Sequence, residues 1–96
     1  MSMNELLNIT TPAEVCLQTA QHEKARRKQM GLTQPQLASK AGVSLGSLRR
    51  FEQTGEISFH SLARIAQALE CSSDFEQLFA RRHFRSIQEV IDAQHN

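Results

Sequence analysis

A glycine flanked by two capped apolar stretches most constrains this chain. The segment Leu32 to Glu52 reads LTQPQLASKAGVSLGSLRRFE. Thr33 can accept a hydrogen bond from the first free amides of a helix, and Pro35 sits in the first turn, where its missing N–H costs nothing. A helix therefore starts at Gln34. Leu37, Ala38 and Ala41 share one face, and Gly42 supplies the left-handed backbone that stops the helix near Ala41. Ser44 is a second N-cap, and Leu45, Leu48 and Phe51 repeat at a spacing of three, which predicts a second helix from Leu45 to about Gln53.

Two short helices broken at a glycine form a helix-turn-helix, whose second helix lies in the DNA major groove. Ala38 is small where the two helices cross. Ser44 and Ser47 near the start of the second helix, with Arg49 and Arg50 further along it, offer donors for phosphates and guanine edges away from Leu48 and Phe51.

The stretch resembles the Xre/Cro-type, phage-repressor-like family. The matching positions are Gln34, Ala38, Gly42, Val43, Leu48 and the aromatic-acid pair Phe51-Glu52, and the resemblance covers roughly residues 12 to 80. It implies that Arg27 pairs with Glu52, tying the first helix to the end of the recognition helix. Leu45 and Gly46 stand where many relatives carry polar, base-reading side chains. Leu45 can touch a thymine methyl, Gly46 permits close backbone approach, and hydrogen-bonded readout falls to Arg49 first and Ser47 second. Gln34 is placed to hold a phosphate at its helix N-terminus, and Lys40 and Arg50 to grip phosphates. The exit Gln53-Thr54-Gly55 carries one residue more than the family's usual close, which alters how Thr54 meets the DNA backbone.

The 96-residue length fits one domain, and a formal net charge of +1 gives no general attraction to nucleic acid. Its distribution does. From Lys24 to Arg50 there are seven Lys or Arg and no Asp or Glu, and a local positive face matters more than the total. Cys16 and Cys71 belong to no CxxC pair and read as reduced, buried, small apolar groups. No apolar run is long enough to span a bilayer and no signal peptide opens the sequence, so a cytoplasmic protein is expected.

Along the rest of the chain, Thr11, Pro12 and Glu14 open a helix that runs to about Met30, with a thin apolar face of Val15, Cys16, Leu17 and Ala20. Glu23 falls where an alanine-sized apolar group would pack better. Ser58 caps a further helix with the stripe Phe59, Leu62, Ile65, Ala66 and Leu69. Ser72 or Ser73 begins a last one, with Phe75, Leu78 and Phe79 facing inward. Four of the five phenylalanines, at 51, 59, 75 and 79, are assigned to the core. The expected fold is all-α: a five-helix phage-repressor-like bundle over 12–80 with an N-terminal arm, 1–11, and a C-terminal extension, 81–96. The arm is compatible with a flexible segment, a dimer contact or a short strand. In the extension Phe84, Ile87, Val90 and Ile91 share a helical face, read as a dimer or partner contact in preference to a helix folded back on its own bundle.

Catalysis is not indicated. His22, His60, His83 and His95 are not spaced as a metal set, and no Gly-rich phosphate loop, nucleophile elbow or HExxH occurs, so neither metal, cofactor nor small-molecule ligand is expected. One recognition helix contacts few base pairs, so a homodimer on double-stranded operator DNA is expected. The segments TPAEV, LGSLRRFEQTGEIS and FRSIQEV are most similar to HipB-like antitoxins, which implies a repressor of its own operon that also binds a HipA-like kinase toxin. The alternatives are a stand-alone phage- or operon-type repressor, and an interaction module of the same fold that has lost DNA binding.

Overall fold

The computed structural model describes residues 10–82 and 91–92, and within them the chain is all-helical. Five helices follow in order: α1 (Pro12–Gln29), α2 (Gln34–Ala41), α3 (Leu45–Thr54), α4 (Phe59–Ala68) and α5 (Ser72–Glu76). The arm, apart from its last two residues, and Phe84, Ile87 and Val90 lie outside the described residues.

The starts of the first four helices are written in hydroxyl caps. Thr11 Oγ1 accepts from the Glu14 amide at 3.2 Å while the Glu14 carboxylate accepts from the Thr11 amide, and Thr33 and Gln36 repeat the arrangement at α2. Ser44 and Ser58 cap α3 and α4 with single bonds to Ser47 N and Ser61 N. The last helix differs: Cys71 precedes it and contributes no side-chain cap.

The core forms where α2 crosses α3 and α4. Leu37, Ala38, Leu48, Ile65, Ala68 and Leu69 are buried together, with Val43, Leu45 and Ile57 packed around them. Leu37 and Leu48 are fully enclosed, so truncating either to alanine removes about 2–5 kcal/mol of stability. Helix α1 docks mainly on α3, through buried Ala20, Glu23 and Arg27 beside Phe51. Gly55 makes this close docking possible. Its φ of +79° ends α3 in the left-handed region, and a Cβ there would lie 2.8 Å from the Cys16 carbonyl carbon.

Several sequence expectations are corrected here. Of the four phenylalanines assigned to the core, only Phe51 is buried; Phe59 is 61 % exposed and Phe79 96 % exposed. Phe59 opens α4, outside the turn that reaches the core, and packs its ring on Phe75 at 5.6 Å. Helix α5 stops at Glu76, so the periodicity that would place Leu78 and Phe79 inward is not sustained, and Phe79 takes a φ of +61° that turns it to solvent. Val15 and Leu17 are also exposed, since the polar stretch after Ala20 gives α1 no continuous apolar face. Neither cysteine is buried: Cys16 is exposed, Cys71 partly so, and both are free thiols.

Candidate nucleic-acid interface

Helix α3 presents its outer face as a consequence of how its inner face is held. Leu48 and Phe51 are buried and Leu45 half-buried, which leaves Gly46, Ser47, Arg49 and Arg50 exposed on the other side. Nothing approaches Gly46 within 4 Å of where a Cβ would stand, so the surface over the start of α3 is open to a partner. Leu45, expected to meet a thymine methyl, packs in part against the core cluster.

The polar groups on this face are not equivalent. Ser44 Oγ accepts from the Ser47 amide and donates to Ser47 Oγ at 2.7 Å, which leaves the Ser47 hydroxyl hydrogen available as a donor. Arg49 has no ion-pair or hydrogen-bond partner among the described residues. Arg50 does: its Nε donates to Glu56 Oε2 at 3.0 Å, and its Nη2 donates to the same oxygen. Thr54 fixes this exit, donating from Oγ1 to the Arg50 carbonyl and accepting from the Glu56 amide. Glu56 lies beyond the Gly55 turn, off the helix that carries Arg50. A carboxylate six residues on, just past a helix-ending glycine, was the available signal.

Around α3, Lys40 is exposed at the end of α2, and Lys24 and Lys28 are exposed on α1. Arg64 donates to the Gly42 carbonyl, the cap of the turn between the two helices. Gln34 is half-buried, and its side-chain amide donates to Glu52 Oε1 at 3.0 Å. Of the groups it was expected to offer a phosphate, the amide of the side chain is therefore engaged inside the fold.

Beneath the face lies a small charged cluster. Arg27 Nε and Nη2 each donate at 2.9 Å to separate oxygens of Glu52, and Arg27 Nη1 donates to the Leu32 carbonyl. Both side chains are nearly inaccessible, at 8 % and 2 %. The bond to Glu52 raises the Arg27 pKa further. Burial pushes the Glu52 carboxyl up, but bonds from Arg27, Glu23 and Gln34 outweigh it and the net shift is downward. Glu23 is the third member of this cluster and its second acid. No donor reaches either of its buried oxygens. Burial first, and then the adjoining Glu52 carboxyl, push its pKa up to about 8. Burial and the neighbouring Glu52 carboxyl thus both favour the uncharged acid form of Glu23.

The geometry defines a helix-turn-helix with a basic outer surface, and comparison agrees. The family model described as Helix-turn-helix matches residues 24–75, more than half of the chain. The protein belongs to the Xre/Cro-type helix-turn-helix family and is a DNA-binding transcription regulator. No curated protein and no solved structure matches it significantly. Among the described residues no helix is long and apolar enough to cross a membrane.

Proposed function

We propose that this protein is a sequence-specific repressor that binds operator DNA as a homodimer, with α3 in the major groove. Arg49 and Ser47 read bases, while Lys40, Arg50 and the residues around Thr54 meet the backbone. The observation that supports this best is the exposed surface of α3: unpaired Arg49 stands beside open Gly46, and cationic side chains flank it with no acid between Lys24 and Arg50. A donor fork free of internal partners suits bidentate contact to a guanine edge.

We further propose that the regulated operon is its own and encodes a HipA-like kinase toxin, for which this chain is the antitoxin. The similarity of TPAEV, LGSLRRFEQTGEIS and FRSIQEV to HipB-like antitoxins supports this reading. A reporter fused to the upstream promoter, with and without the protein, tests the repressor. Co-purification with the product of the adjoining reading frame tests the antitoxin. Repression without any kinase-like neighbour leaves the stand-alone repressor, and failure to bind the promoter fragment even at low salt leaves the interaction module.

A further inference from the structure

The reading of DNA makes no use of a cleft on the side of the bundle where α1, α4 and α5 meet. It encloses about 370 Å³, and Val15, Cys16, Phe59, Leu62, Phe75 and Leu78 are among its walls. Val15, Phe59 and Leu78 are 49 %, 61 % and 50 % exposed, an apolar surface that a monomer in water has no reason to keep. Asp74 stands in the same lining.

The sequence after Arg82 supplies a matching surface. Phe84, Ile87, Val90 and Ile91 fall on one side of a helix by their spacing. In the sequence they follow Arg81 and Arg82 and enclose Arg85, so the apolar stripe comes with a basic run, opposite in charge to Asp74 of the cleft. Ile91, the described member of the stripe, is 40 % exposed and is not among the residues that line the cleft, whose Val15, Phe59 and Leu78 stay open to solvent.

We propose that the 84–91 stripe of one copy docks in this cleft of a second copy, and reciprocally, giving a two-fold symmetric dimer. This rests on the homodimer reading above and adds its surface. Each copy offers one cleft and one stripe, so the contact is isologous and closes on itself without leaving an apolar face for further growth. The cleft reaches α3 only through inward-facing Phe51 and the Gly55 cap, so docking leaves Gly46 and Arg49 uncovered. A pair of recognition helices held by their C-terminal segments then meets two half-sites.

Cys16 makes the proposal testable, because a thiol already lies in the cleft wall. In full-length protein with Cys71→Ser, a Val90→Cys substitution is expected to form, under mild oxidation, a disulfide-linked species of twice the chain mass. Replacing Cys16 with Ser in that background is expected to abolish the species. Formation of the 16–90 disulfide within single chains overturns exchange between copies. Phe59→Glu, at a position exposed enough to leave the fold intact, is expected to raise the dimer dissociation constant at least tenfold by light scattering, with unchanged helical circular dichroism. A wild-type monomer at concentrations that saturate operator DNA overturns the homodimer reading along with this surface. A wild-type dimer that Phe59→Glu leaves intact and Val90→Cys fails to cross-link overturns the surface alone.

Discussion

Arg27 and Glu52 meet in a bidentate pair, two parallel hydrogen bonds of 2.9 Å between α1 and the end of the recognition helix. The pair is buried, and α1 has few apolar side chains with which to hold its place, so the orientation of α3 on the bundle depends on it. Removing one partner strands the other charge away from water. Arg27→Ala is expected to cost about 3–5 kcal/mol of stability, read as a lower urea midpoint with unchanged slope. A loss below about 1 kcal/mol, the range of surface pairs, means that the pair is not buried in solution.

Glu23 gives this cluster a pH dependence. Its pKa rises from an ordinary value of 4.5 to about 8 on folding, so between these values the folded state binds more protons than the unfolded state. Stability must then fall as pH rises through that window and level off above it. Glu52 acts oppositely at the acid end: its pKa is depressed in the fold, and its contribution is lost as pH drops below about 4.5. Urea midpoints are expected to decline from pH 5.5 to 8.5, and Glu23→Gln to flatten that slope and raise the midpoint at pH 8.5. An unchanged slope in the variant would assign the dependence to other groups.

Two glycines with similar left-handed backbones separate strain from packing. At Gly42 the nearest atom to a Cβ is Arg64 Nη1 at 4.0 Å, whereas at Gly55 the backbone of Cys16 lies at 2.8 Å. Gly42→Ala is expected to cost about 1–2 kcal/mol from the backbone alone. Gly55→Ala adds an overpacking cost of about 1–3 kcal/mol, because it pushes α1 off the end of α3. Equal losses on chemical denaturation would show that the α1 docking can relax.

Arg49 and Arg50 are expected to behave differently on DNA although they are adjacent. Arg49→Ala should lose about 1–3 kcal/mol on the operator and relax its sequence preference, while Arg50→Ala should weaken all sequences alike and flatten the salt dependence. Gel-shift titrations at two salt concentrations compare them. Identical, sequence-independent losses would remove base reading from Arg49.

Much of this architecture was legible because its signals are local. Thr11, Thr33, Ser44 and Ser58 cap helices within three residues of themselves, and Gly42 stops α2 by its own backbone. What eluded the sequence depends on neighbours distant along the chain. Nothing near Phe79 says that α5 ends after five residues, and helical periodicity therefore placed an exposed ring in the core. Glu23 looked like a poorly chosen surface for packing. Its environment is set by burial and then by Glu52, on another helix, and both arise only when α1 docks. On the DNA-facing side, the residue types were readable, but the tether from Glu56 to Arg50 needed the chain's turn at Gly55.

On the proposed function, α3 reads a particular DNA sequence. Footprinting on the protein's own upstream region, with a base-scrambled duplex as competitor at physiological salt, measures this. The expected result is a protected site with two half-sites about 34–36 Å apart centre to centre, bound at least about a thousandfold more tightly than the scrambled duplex. Equal affinity for both duplexes, or no protection at any salt concentration, would contradict it.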